Sequence, residues 1–273
     1  MVKKLFKHEF IYYFRTFGIF LPIVLATAIA AKIFTLFDQE NVFNEIVTNI
    51  SLIALVMASF GLLALSAIVS VIRFYKNMYS AEGYLTFTLP ASNSQHIFVK
   101  LCTAVIWQIS CFITVVLAWS IMLIGGDSDS ASGEIVGAES WNEFVNTIGA
   151  GNLVAYAIEL VIAILAAMVY SMLLAYTCIT IGQTAKKHRI GKAVGVYFIY
   201  YYATQAILSV LSTVGTVLAT DSLIDSSISE MTIDDTVVLI HIVLCGAIVI
   251  CAAVSLVFWL VTRYVMTKKL NLE

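Results

Sequence analysis

Apolar residues run through this chain in long blocks, without the strict alternation or the narrow 3.6-residue stripe of soluble elements. Six blocks, at 17–37, 46–74, 97–124, 153–181, 194–219 and 237–266, are each mostly apolar over about 20 or more positions. That is the length a hydrocarbon layer ~30 Å thick demands at ~1.5 Å rise per residue. Within such a layer every backbone N–H and C=O must be satisfied inside its own segment, so each block is predicted to be a helix. The expected fold class is all-α: a polytopic membrane protein with six transmembrane helices forming a single domain over 1–273. Pro22 falls in the first turns of the first block, where its missing N–H does little harm, and Pro90 lies between blocks. The second and sixth blocks end in Arg73-Phe74-Tyr75-Lys76 and Arg263-Tyr264-Val265-Met266, and are expected to project past the inner surface with these residues as anchors.

The polar segments set the orientation. All 15 basic residues except Lys32 fall in alternate segments, from Lys3 to Arg15, Arg73 to Lys100, Lys186 to Lys192 and Arg263 to Lys269. The intervening loops are acidic, with Glu40, Asp127, Asp129, Glu134, Asp221, Asp225, Asp234 and Asp235 among them. Short basic loops stay in the cytoplasm, so both termini are expected there, with 125–152 and 220–236 extracellular. Residues 1–16 mix Lys and Arg with Phe and Tyr and are read as an N-terminal amphipathic interfacial helix against membrane lipid. Ala28-Ile29-Ala30 is read as part of the first span and not as a signal-peptide cleavage site, because the segment before it is long for a leader. The spacing of Trp141, Phe144, Val145 and Ile148 suits an amphipathic helix at the outer leaflet.

Composition agrees: 61% of residues are apolar, 12% are charged, and the net charge of −2 hides the separation of basic from acidic loops. Nucleic acid is not implied. The five cysteines all lie in the apolar blocks and are read as small packing residues, with no disulfide framework and no zinc spacing. Asp127-Ser128-Asp129 opens like a calcium loop, but an EF-hand needs Gly at the sixth position, which is Ser132. No catalytic or metal-ligating set is legible, and HExxH and Gly-x-Ser-x-Gly are absent.

The segment 75–96 is unusually apolar for an inner loop, with Tyr79, Tyr84, Leu85, Phe87 and Leu89 all costly to leave in water. Pro90 ends the feature, and Ser92 with Gln95 has the spacing of a capping box that would start the third span. Six spans of this length, together with Glu82-Gly83-Tyr84-Leu85-Thr86-Phe87-Thr88-Leu89-Pro90 in this loop, resemble the ABC-2-type permeases of bacterial ABC exporters. The resemblance implies a multi-pass protein of the bacterial cytoplasmic membrane. It further implies that the loop is a coupling helix docking on a separate ATP-binding cassette subunit, with Tyr79, Glu82, Gly83, Tyr84 and Leu85 at the contact. A second permease chain, identical or different, would complete the export pathway, and the partner subunit would hold ATP and Mg, leaving no cofactor in this chain. Leu85, Phe87 and Leu89 alternate with Thr86 and Thr88 in a strand-like way, so the helix is expected to stop near Leu85.

The second inner loop, Gln183 to Lys192, lacks the Gly-x-x-x-x-Gly-Lys-Ser/Thr of a phosphate loop, since Lys186 stands at the first Gly position and Ala193 follows Gly191-Lys192. Its charge is read as topology and contact with anionic lipid. Inside the spans, Lys32, Gln108, Glu159 and Gln205 are the possible intramembrane polar residues. Lys32 and Glu159 both lie toward the outer side, where they could pair or reach the interface; Gln108, Gln205 and His241 suit hydrogen bonding between helices. Gly191 and Gly195 form a GxxxG that would let the fifth span pack closely. An ATP-independent secondary transporter and a membrane anchor or sensor are the competing functional classes.

Overall fold

A computed structural model of the chain describes residues 2–37, 42–80, 83, 92–123, 145, 148–185, 187–225 and 233–268. The helices are α1 (Val2–Phe17), α2 (Phe20–Thr35), α3 (Val42–Tyr79), α4 (Asn93–Leu123), α5 (Ala150–Gly182), α6 (Arg189–Asp225) and α7 (Ile233–Lys268). No strand occurs among the described residues. Six helical segments are long and apolar enough to cross a membrane, α1 with α2 counting as the first. The chain forms two compact units, Met1–Trp141 and Asn142–Glu273, with three such segments each.

In the first unit α1 and α2 are separated by a turn at Gly18 and Ile19. Proline has no N–H to give the carbonyl four residues back, and for Pro22 that carbonyl belongs to Gly18. The Gly18 N–H still closes on the Phe14 oxygen at 2.8 Å, and a Cβ at Gly18 would lie 2.6 Å from that oxygen. Past this turn α2 continues in the direction that α4 takes. Contacts about 90 residues apart tie the two parallel runs together, from Glu9 with Lys100 at one end to Lys32 with Met122 at the other.

Helix α3 runs back between them, and its residues sort by face in the way a lipid solvent requires. The packed face holds Thr48, Leu55, Ser59, Leu62, Ser66, Ser70 and Phe74, while Ile46, Ile50, Ile53, Met57 and Phe60 are exposed. Small hydroxyl residues allow helices to approach closely where lipid offers no hydrophobic drive to associate. Ser59 and Ser70 spend their hydroxyls on carbonyls one turn back, at 2.8 and 2.7 Å, so neither leaves an unpaired donor. Val24 and Ala28 of α2, Leu55 and Leu62 of α3, and Cys111 and Ala118 of α4 form the core.

In the second unit α5 and α7 are the parallel pair. Tyr156 donates to the Val237 carbonyl (2.7 Å), Glu159 meets His241 (2.8 Å), and the Thr177 and Thr262 hydroxyls meet at 2.9 Å, partners 81 to 85 residues apart all along the helices. Helix α6 returns beside α5, with the Tyr170 and Tyr200 hydroxyls 2.6 Å apart. It begins at Arg189, so Arg189 to Ala193, expected in the second inner loop and at its edge, are helical.

Close packing of α5 on α6 comes from Gly182, not from the GxxxG. A Cβ at Gly182 would lie 2.5 Å from the Ala193 Cβ and 2.8 Å from its Cα, whereas one at Gly195 would meet nothing within 4 Å. Gly182→Val is therefore expected to cost about 1–3 kcal/mol in unfolding free energy by overpacking against backbone, with Gly195→Ala near neutral. Equal unfolding midpoints for the two variants would refute this placement.

Candidate functional site

The apolar inner loop is the sequence-predicted site, and its flanks lie in the first unit. Helix α3 carries the chain through Tyr79, whose ring packs edge-on against Phe74 with centroids 5.9 Å apart. Gly83 then folds back over the end of α3. Its N–H donates to the Ser80 carbonyl at 2.7 Å, and an added Cβ would lie 2.7 Å from the Met78 oxygen. Only glycine fits that approach, which is a physical reason for Gly at 83. On the far side the capping box forms as spaced: the Ser92 N–H donates to Gln95 Oε1 (3.1 Å) and the Gln95 N–H to Ser92 Oγ (3.4 Å). Glu82, Tyr84 and Leu85, and the alternating stretch to Leu89, lie outside the described residues.

Beneath these flanks is a buried charged cluster. Glu9 of α1, only 5% exposed, accepts from Lys100 Nζ of α4 at 2.8 Å, from Asn77 Nδ2 of α3 at 2.9 Å and from Arg73 Nε of α3 at 3.2 Å. Arg73 also stacks over the Tyr12 ring, 3.8 Å from its centroid. One carboxylate thus draws in two cations and an amide from the last turns of α3 and the first turns of α4. Arg73 and Asn77 stand four apart on one helix face, which lets both reach the same carboxyl.

An aromatic group extends the contact. Trp107 of α4 is 4% exposed, with the rings of Phe10, Tyr13, Phe14 and Phe17 all within 6.3 Å of it, centroid to centroid. The rows Glu9, Tyr13 and Phe17 are buried, while Ile11, Phe14 and the basic Lys3, Lys4, Lys7 and Arg15 are exposed. Helix α1 is accordingly two-sided, fixed to α4 along one face and apolar with cations along the other.

The chain matches no known protein family, no curated protein and no solved structure.

Each unit holds its own polar residues within the long apolar helices. Lys32 donates to the Met122 carbonyl at 3.3 Å in the first unit. Gln108 of α4 keeps a buried Oε1 with no hydrogen bond among the described residues, and Gln205 is exposed on α6. Glu159 of α5 meets His241 Nδ1 of α7 through both oxygens, at 2.8 and 2.9 Å, so His241 bonds between helices as its type suggests. Among the described residues no three His, Cys, Asp or Glu side chains are grouped to hold a metal ion, and the five cysteines are free.

Sequence reasoning passed over Glu9, treated Lys100 only as a marker of sidedness, and treated Arg73 as such a marker and an interfacial anchor. A signal was present: Glu9 is the one acid in a strongly basic amino-terminal stretch, and Lys100 lies inside an apolar block where an unpaired ammonium is expensive.

Proposed function

We propose that this chain is the transmembrane permease subunit of an ATP-driven exporter, with its inner loop driven by a separate ATP-binding subunit. The supporting observation is the Glu9 cluster. Tyr79 and Gly83 on one side of the loop and Ser92 on the other are carried by helix ends that Glu9 ties to each other and to α1 through Arg73, Asn77 and Lys100. A push on such a loop moves α1, α3 and α4 together, as rigid-body coupling requires. The reading draws further on the nine-residue resemblance at Glu82 to Pro90 and on the absence of a phosphate loop in this sequence. In it, the basic loops face the cytoplasm of a bacterium, and two permease chains make the pathway.

The deciding experiment is co-purification of the chain with a soluble subunit that hydrolyses ATP, followed by reconstitution. Gly83→Pro removes the N–H that closes on Ser80, so transport per ATP hydrolysed is expected to fall roughly tenfold or more while insertion is kept, a change of ~1.4 kcal/mol per tenfold. Transport by a preparation free of ATPase would refute the proposal. It would favour a secondary transporter, for which the Glu159–His241 pair inside the spans is the supporting observation.

A further inference from the structure

We infer that Glu159, with His241 and Tyr156, forms a binding site for a lipophilic organic cation between α5 and α7. Glu159 stands nine residues into α5 among Tyr156, Ala157, Ile158, Leu160, Val161 and Ile162, a setting in which an ionised carboxylate needs a counter-charge. Within the second unit the sequence supplies no fixed one nearby. No Lys or Arg occurs between Lys100 and Lys186, or between Lys192 and Arg263. Along α5 the nearest described cation of the unit lies beyond Gly182, 23 residues from Glu159 or about 35 Å at helical rise. Among the described residues, the group that meets this carboxylate and is able to carry a positive charge is the His241 imidazole.

The imidazole is held for that contact and for little else. Tyr156 stacks on it in near-parallel fashion, centroids 4.0 Å apart and planes 9° apart, and the Tyr156 hydroxyl is tied to the Val237 carbonyl at 2.7 Å. In the neutral imidazole with hydrogen on Nδ1, the ring donates to Glu159 and leaves the pair one negative charge in an apolar layer. The carboxylate side chain is 18% exposed, so its open side is accessible, and the Cys245 thiol lies 3.7 Å from Oε1. An arriving cation restores neutrality there, and an apolar body suits the flanking Ile158 and Ile162, both exposed. The sequence is acidic where α6 ends and α7 begins, at the same end of the unit, with Asp221, Asp225, Asp234 and Asp235. A metal ion is not the occupant favoured, because among the described residues no three His, Cys, Asp or Glu side chains are placed to hold one. That this site receives cargo rests on the export reading; that it binds a cation does not.

The test uses the purified full chain alone in phosphatidylcholine nanodiscs, with no ATPase and no ATP, so its failure is distinct from failure of the export reading. Tetraphenylphosphonium is the probe and tetraphenylborate the anion of the same shape. Saturable binding of the cation only is expected, weakened about tenfold or more in Glu159→Gln and largely kept in Glu159→Asp. The cation, and not the borate, is expected to slow maleimide labelling of Cys245 in the wild type, mapped by peptide mass. That second measurement decides the matter if Glu159→Gln does not fold. Equal binding of both ions, undiminished cation binding by folded Glu159→Gln, or no protection of Cys245 would each overturn the proposal.

Discussion

Replacing Glu9 with Gln is expected to destabilise the first unit by about 3–5 kcal/mol, because it takes a carboxylate at 2.8 Å away from an ammonium already out of water. Lys100 is 3% exposed and has its 2.8 Å contact with the Glu9 carboxylate. An amide of the same shape keeps a hydrogen bond but supplies no charge to offset desolvation. Arg73 is less affected, since its side chain is 20% exposed and stacked on Tyr12. The double variant Glu9→Gln/Lys100→Met, which removes the buried charge as well, is expected to recover most of the loss. Denaturant or thermal unfolding of the purified protein measures both. An unchanged unfolding midpoint in the single variant would mean that the cluster does not hold α1.

Trp107→Ala is expected to cost a similar ~3–5 kcal/mol, by opening a cavity where four rings of α1 now end. Trp107→Phe retains part of the contact and is expected to lose less. The two substitutions act on the same helix from adjacent points, Glu9 by charge and Trp107 by shape. Once either has released α1, the other has less left to remove, so Glu9→Gln/Trp107→Ala is expected to fall short of the sum of the singles. Protease sensitivity at Lys3, Lys4 and Lys7 should rise in both, since those residues lie on the helix that is freed. Full additivity would separate the two sites and contradict a common role in seating α1.

Both results bear on coupling. If α1 is seated by Glu9 and Trp107, then the helix ends beside Gly83 and Ser92 are braced by a third element, and displacement of the loop reaches α2 through the turn at Gly18. If α1 is loose, the loop is carried by α3 and α4 alone. The Gly83→Pro measurement in the presence of an ATPase is interpretable only with that distinction in hand.

Much of the architecture could be read from composition and spacing, because the bilayer imposes a length and a backbone rule that soluble folds escape. The six apolar blocks, the place of Pro22 and the Ser92/Gln95 cap needed no tertiary information, since each depends on residues within a turn or two of each other. The helix ends were less legible. Helix α6 starts at Arg189, inside a basic segment read as loop, because a polar helix turn outside the apolar layer carries no hydropathy signal. The GxxxG at Gly191 makes no close approach among the described residues, as small residues show where a helix can approach another and not whether one is there. Gly182 makes the close approach because Ala193 lies opposite, and that depends on how the turn after α5 aims α6.

The polar pairs mark the boundary most clearly. Sequence alone determined that Lys32 and Glu159 are costly charges in apolar surroundings, and it carried the same signal, unread, at Lys100, because each lies amid residues suited to lipid. It could not say what each one meets, since the candidate partners lie about 80 to 90 positions away and many spacings fit. The tertiary structure decided that: a parallel register near 90 residues brings Glu9 to Lys100, and one near 82 brings His241 to Glu159. The solvent acts on each residue wherever it falls in the chain and is therefore written locally, whereas a register between helices is set by the whole packed interface and appears only once the chain has folded.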